Sequence, residues 1–271
     1  MVFSPAPLKL GCVPYINALP LTYFLDPEEF ELMNRPPAQL FDLLQKGHVD
    51  AALLPIVNYF ENSDLALVPQ ICIAAKGAVR SVKIFFKNGC PSLEKAESIA
   101  LDPESKTSNL LLKTLLHHRH GRDLSKLNFS ITEDDADVKV LIGDKALDLH
   151  LSPSPRPSPS REREYQRSMD LAELWWEWTK KPFVFAAWMT RGEPNARLCA
   201  SLYRARERGL KDLQTILNFL PQYPSDFLKE YFTRAVHYYM GPEELEGVRT
   251  FYEYLRPIQG YHNELDFRFV S

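Results

Sequence analysis

Four cysteines in 271 residues (Cys12, Cys72, Cys90 and Cys199) lie far apart, with no CxxC pair and no Cys/His cluster. That spacing gives no framework for zinc and reads as free thiols in a reducing compartment. No apolar run approaches the roughly 18 residues that a membrane helix needs. Residues 1–8 carry no basic start and no apolar stretch, and Pro5 and Pro7 interrupt them, so no secretory signal is expected and the location reads as cytoplasmic. A P-loop, GxGxxG, HExxH and GxSxG are all missing, which removes the usual signatures of nucleotide, metal and Ser-His-Asp chemistry. The formal net charge is −3, so no bulk positive field is available to hold a nucleic acid by counterion release. His117, His118 and His120 gather at a helix end, but Arg119 among them marks a solvated face, and no metal site is expected there.

What is present is an alternation. Leu8–Val13 is a short apolar run stopped by Pro14, as a buried strand feeding a loop would be. A second strand is predicted at Phe30–Met33. A helix follows Pro36 and Pro37, with Leu40, Phe41, Leu43 and Leu44 on one face and Gly47 at its end. Val49–Leu54 is the next strand, ended by Pro55. This order predicts parallel βαβ units. A second α/β set begins near residue 90, with strands at Ser98–Leu101, Leu127–Ile131 and Val138–Ile142 and a helix over about Thr107–His118. Val79–Lys87 is the strongest strand candidate, rich in β-branched and aromatic residues. Asp170–Thr179 reads as a helix in which Trp175, Trp176 and Trp178 serve core packing. A buried strand at Phe183–Met189 follows, then helices over Asn195–Leu220, Asp226–Met240 and Pro242–Leu255.

The segment 151–168 (LSPSPRPSPSREREYQRS) breaks the pattern. Alternating Pro, Ser and Arg leave no large apolar residue to pack, so a flexible surface insertion is expected. The predicted fold is α/β and two-lobed, of the type II periplasmic-binding-protein kind with a ligand cleft between the lobes. Residues 1–88 plus 190–271 form the first lobe and 89–189 the second. In such sheets ligands sit beyond the C-terminal ends of strands, where loops meet helix N-termini.

Four loops fall at that predicted edge. Tyr15 and Asn17 follow the first strand, and Asn17 offers uncharged donors and an acceptor to a carboxylate or hydroxyl, or else caps the next helix. Ser81 stands at the start of Val79–Lys87. Thr107 and Ser108 open a helix, as N-cap or first-turn residues, where exposed N–H groups and the helix dipole favour an anion. Asp144, in Gly143–Leu147, caps a helix or contacts a ligand hydroxyl. The ligand class implied is a small anion held by hydroxyls and amides.

Taken in order, GCVPYINALPL, DAALLP, VRSVKIFF, LDPESKTSNLLLKTLL, LIGDKAL and DLAELWWEWTKKPFVFAAW resemble the chorismate dehydratase family of the futalosine route to menaquinone. The likeness spans roughly residues 8–190. It departs from the family pattern at Lys180, where a glycine is common, at Ile56, where a hydroxyl residue is common, and in the proline-rich insertion. The resemblance implies a carbon–oxygen lyase that removes water from chorismate to give 3-[(1-carboxyvinyl)oxy]benzoate, with no metal or organic cofactor. It implies Asn17 and Ser81 as catalytic residues, with Tyr15, Thr107, Ser108 and Asp144 binding substrate. None of the matched loops offers an obvious His or Glu as base. Two other readings of the same fold are a non-catalytic small-anion binding protein and the related 1,4-dihydroxy-6-naphthoate synthase. The latter's N-terminal segment is rich in Ser, Pro, Cys and Asp, unlike Val13-Pro14-Tyr15-Ile16-Asn17. Neither a membrane nor a nucleic-acid partner is called for, and the oligomeric state is not encoded in any motif.

Overall fold

The computed structural model describes residues 6–131, 135–151 and 165–267. Among the described residues the chain forms ten strands and ten α-helices. The strands are β1 (Leu8–Cys12), β2 (Phe30–Asn34), β3 (Ala51–Pro55), β4 (Leu65–Ala75), β5 (Val82–Lys87), β6 (Ser98–Ala100), β7 (Asn128–Ser130), β8 (Val138–Ile142), β9 (Tyr165–Asp170) and β10 (Phe183–Arg191). The helices are α1 (Leu19–Thr22), α2 (Pro37–Gln45), α3 (Ile56–Glu61), α4 (Lys106–Thr114), α5 (Gly143–Leu151), α6 (Leu171–Thr179), α7 (Ala196–Lys211), α8 (Leu213–Asn218), α9 (Ser225–Glu230) and α10 (Pro242–Gln259).

The chain forms two compact units. The first holds 1–74, 184–242 and 264–271, and the second holds 75–183 and 243–263. Both borders differ from those expected. Val82–Lys87, expected in the first lobe, belongs to the second unit because β5 pairs antiparallel with β8 and β9. From Glu243 onward α10 also belongs to the second unit, where Phe251 and Tyr254 meet Trp175 edge-on at 5.8 and 6.1 Å.

The first unit's sheet runs β2-β1-β3-β10-β4, with β1 parallel to β2 and β3, and β10 antiparallel to β3. The second runs β7-β6-β8-β5-β9, with β6 parallel to β7 and β8. Both sheets are therefore mixed rather than wholly parallel. The parallel strand β3 is a continuous apolar run, as a strand covered on both faces should be: Ala51 to Leu54 are at most 1% exposed.

Three segments depart from the sequence reading. Leu65–Ala75, for which no element was predicted, is the longest strand; Pro69 and a left-handed Gln70 (φ 61°) interrupt its periodicity. Residues 165–168, expected to be part of the flexible insertion, belong to β9, whose polar sequence suits an edge and hides its pairing with β5. The guanidinium of Arg167 lies 4.0 Å from the Phe86 ring centroid. The rest of the insertion, 152–164, lies outside the described residues. The helix expected over Asp226–Met240 stops after Ala235 because the chain turns extended at Val236 and His237 bridges to Ala74.

Lys180 ends α6 in the left-handed conformation (φ 56°, ψ 23°), its N–H donating to Trp176 O at 2.9 Å. This is the helix-end position that favours glycine, which explains why a glycine is common there in the family this sequence resembles. Replacing Lys180 by Gly is expected to stabilise the protein by about 1 kcal/mol, the left-handed strain relieved less the extra entropy of the unfolded glycine. A higher denaturant midpoint at unchanged slope would bear this out, and a lower midpoint would contradict it.

Candidate functional site

The sheet topology places the candidate loops within each unit, one in the first and three in the second. In the first unit, β1 ends at Cys12 and leads into a 3-10 turn, Ile16–Ala18, that carries Asn17. Tyr15 is the half-buried residue before that turn. Asn17 does not cap α1, whose N-cap is Ala18 with no side-chain bond. Instead its backbone carbonyl accepts the Tyr238 hydroxyl at 2.9 Å, from a phenol that is fully buried and whose pKa burial pushes up. Asn17 Oδ1 is buried and has no hydrogen-bond partner among the described residues.

In the second unit, β6 and β8 run parallel and β5 antiparallel to β8, so the start of β5 lies beside the end of β8. The pairing of Val82 with Ile142 and the bond from Gly143 N–H to Ser81 O at 2.8 Å bring Ser81 next to the start of α5. Asp144 stands half-buried in the first turn of that helix. The neighbouring Lys145 reaches Glu104, in the loop after β6, at 3.3 Å.

That loop holds itself in shape. Asp102 N–H donates to Asn109 Oδ1 at 3.1 Å, Asn109 Nδ2 donates back to Asp102 O at 2.7 Å, and Glu104 N–H donates to Asp102 Oδ1 at 2.8 Å. Burial raises the Asp102 carboxyl above its usual range. Ser105 is the N-cap of α4, its Oγ accepting from Ser108 N–H at 3.3 Å. Thr107 and Ser108 are therefore first-turn residues rather than caps. With Ser105 serving the cap, the Thr107 hydroxyl is left over: Thr107 is 3% exposed and its Oγ1 has no partner among the described residues. Ser81 is fully buried and its Oγ is unpartnered in the same sense.

Buried hydroxyls and amides normally find partners, because leaving one unpaired costs about 1–3 kcal/mol. The indoles of Trp175 and Trp188 are orphaned too, so an unpaired atom alone does not define a site. What sets Asn17, Ser81 and Thr107 apart is their place at strand ends and a helix start, where an α/β sheet presents donors to a ligand. The histidine group goes elsewhere: His120 pairs with Glu94 at 2.6 Å, and His118 lies 2.9 Å from Tyr254 O and stacks on Trp178.

Sequence reasoning missed Asp170. It ends β9 and caps α6, with Oδ1 accepting from Ala172 and Glu173 N–H at 3.0 and 3.2 Å and Oδ2 from Arg80 N–H at 2.6 Å. Burial raises its carboxyl to about 6. An Asp directly before an apolar-periodic run is a cap signal, but nothing local to it reveals the bond to a residue 90 positions away. Lys83 was missed too: it is buried on β5, its pKa lowered by burial, with Nζ 3.2 Å from His150 Nδ1.

Two separate mixed sheets flanked by helices define an α/β fold of the periplasmic-binding-protein-like kind. The fold matches that of the periplasmic aliphatic sulphonate binding protein from Escherichia coli, with a TM-score of 0.63 at 13% identity, covering 97% of this chain and 96% of that one. The chain belongs to the menaquinone biosynthesis family, whose model matches residues 8–257. It is 34% identical over 223 residues to the chorismate dehydratase of Thermus thermophilus, covering 78% of this chain and 80% of that protein. A chorismate dehydratase of Campylobacter jejuni is 30% identical over 188 residues, covering 65% of this chain and 64% of the relative.

Proposed function

We propose that this chain is a chorismate dehydratase, a hydro-lyase that converts chorismate to 3-[(1-carboxyvinyl)oxy]benzoate and water. The observation that carries the reading is the 34% identity to a chorismate dehydratase over 78% of the chain. The site residues support it chemically. Chorismate is a dianion, and the protein's net charge of −3 means that local donors must hold it. The Thr107 hydroxyl, the first turn of α4 and Ser81 are suited to the carboxylate oxygens. Asn17 is suited to the departing hydroxyl or the ring, Tyr15 to the ring face and Asp144 to a substrate hydroxyl.

The reaction removes a ring proton and the hydroxyl from the adjacent carbon, and the electron pair of the C–H bond completes the aromatic ring. The gain in aromaticity makes the elimination strongly favourable, so the protein's task is positioning and electrostatic support rather than supply of a strong reagent. In this reading no metal or organic cofactor takes part, and the substrate's own enolpyruvyl carboxylate accepts the proton. No helix among the described residues is long and apolar enough to cross a membrane, and a biosynthetic role of this kind suits the cytoplasm.

The test is to incubate the purified protein with chorismate and follow the ultraviolet spectrum and product mass. A product lighter than chorismate by one water is expected. Unchanged chorismate at high protein concentration would contradict the reading and favour a non-catalytic binding protein.

A further inference from the structure

Ser81 is held on both sides by bonds that reach far along the chain. Its carbonyl accepts from Gly143 N–H, and the residue before it, Arg80, has a left-handed backbone with φ 68°. Such a conformation costs a non-glycine residue roughly 1–2 kcal/mol and persists only where surrounding contacts fix it. Here those contacts come from Asp170, which is 4% exposed. One carboxylate oxygen caps α6 through Ala172 and Glu173, and the other accepts from the backbone N–H of Arg80, with Val79 N–H also bonded to the carboxylate. The cap is a structural duty that any Asn or Ser could meet. The second duty is specific to a carboxylate, because only two acceptor oxygens can serve two sets of N–H donors.

We propose that Asp170 is a positioning residue, fixing the Ser81 hydroxyl for the reaction by clamping the left-handed Arg80 turn with the oxygen that does not cap α6. This rests on the assignment of Ser81 to chorismate dehydration. In Asp170→Asn the amide oxygen keeps the cap, but the amide nitrogen is a donor turned toward the donor Arg80 N–H. The clamp is lost while the helix start is kept.

The carboxyl's environment adds a pH signature. The charged groups around it are Arg80 in the same turn, Lys83 on β5 and Glu173 on α6, with His150 of α5 lying against Lys83. With the carboxyl's pKa at about 6 against an ordinary 3.8, Asp170 is protonated at pH 5 and ionised above 7. Protonation turns an acceptor oxygen into a donor, so activity falls as pH drops through about 6. Stability moves the other way. The folded state holds this proton more tightly than the unfolded chain, so the group's contribution is complete below about 3.8 and is lost as pH rises through about 6.

The experiment compares kcat, KM and melting temperature for the wild type, Asp170→Asn, Ser81→Ala and the double variant, with Asp170→Ser, which also keeps a cap, as a second way of removing the clamp. The expectation is that Asp170→Asn lowers kcat/KM roughly ten- to a hundredfold, the scale of a misplacement of about 1 Å, in the same kcat-to-KM proportion as Ser81→Ala. It also removes the activity limb near pH 6. The double variant is expected to be no worse than Ser81→Ala alone, within about threefold, because Asp170 acts through Ser81. Full activity of Asp170→Asn or Asp170→Ser beside an impaired Ser81→Ala overturns the positioning role alone, and so do losses that multiply in the double variant. A wild type inert toward chorismate overturns the functional assignment and this inference with it, whereas a fully active Ser81→Ala overturns the role of Ser81 and this inference but leaves the lyase reading standing.

Discussion

Replacing Asn17 by alanine is expected to lower kcat for chorismate about a hundred- to a thousandfold, with little change in KM and no loss of stability. The magnitude is that of removing one preorganised polar group aimed at charge developing in the transition state. The kcat-weighted loss follows from its proposed task, because a group that orients a departing hydroxyl matters most as the C–O bond breaks. The stability half of the prediction comes from the geometry. Asn17 Oδ1 is buried with no partner among the described residues, so alanine forfeits no bond to it and removes a desolvation cost. The turn itself stays anchored, since Tyr238 bonds the Asn17 backbone carbonyl rather than the side chain. Thr107→Val is the contrasting variant. If Thr107 holds a carboxylate that persists from ground state to product, its loss raises KM about tenfold and leaves kcat nearly unchanged. Steady-state kinetics beside melting curves checks both. A large kcat loss for Thr107→Val, or a collapse in stability for Asn17→Ala, would contradict the assigned roles.

Gly209→Ala is expected to be the most damaging single methyl group in the first unit. Helix α7 buries Leu198, Leu202, Ala205 and Gly209 along one stripe, and Gly209 lies against the segment carrying Pro20. A Cβ there would stand 2.1 Å from Pro20 O and 2.8 Å from Pro20 C, both backbone atoms that cannot rotate away. The helix and the Pro20 segment must therefore part. Overpacking of this kind costs roughly 1–3 kcal/mol, occasionally more, and the strain lands three residues from Asn17. Chemical denaturation should show a loss of about 2–3 kcal/mol. At temperatures where the variant is still folded, kcat should fall at least tenfold as the Asn17 turn shifts. Wild-type stability would show that Pro20 moves freely and that Asn17 is not rigidly held. Wild-type kcat in a destabilised protein would separate the turn's position from catalysis.

The strand ends carrying the candidate residues were legible because each strand concerned stops at an unmistakable break: Pro14 after β1 in the first unit, and Asp102-Pro103 after β6 and Gly143 after β8 in the second. An apolar run followed by a breaker and then a helical pattern specifies a strand end facing a helix start. That is why Asn17, Thr107, Ser108 and Asp144 could be picked out from short-range pattern alone. Ser81 was legible only as the start of a strong strand. The pairing that places it, β5 antiparallel to β8, is decided by residues about 60 positions away. The same limit hid β9, whose Tyr-Gln-Arg-Ser has no apolar alternation because it is an edge strand, and the second duty of Asp170. β4 was masked by its own interruption at Pro69 and Gln70, where Arg206 bonds the Gln70 carbonyl from α7. The unit borders were misplaced for a related reason. Which sheet a strand joins is set by partners far along the chain, and the run Val79–Lys87 carries no mark of its partner.

Asn17 Oδ1, Ser81 Oγ and Thr107 Oγ1, buried and without a hydrogen-bond partner among the described residues, are the oxygens proposed to meet chorismate. The most direct measurement is chorismate turnover, followed by product mass, for the wild type and Ser81→Ala, with melting curves on the same samples. The wild type is expected to release the dehydrated product, while Ser81→Ala melts no lower than the wild type and turns over about a hundredfold slower. Chorismate left intact by the wild type, or a Ser81→Ala protein that is destabilised yet fully active, would contradict that proposal.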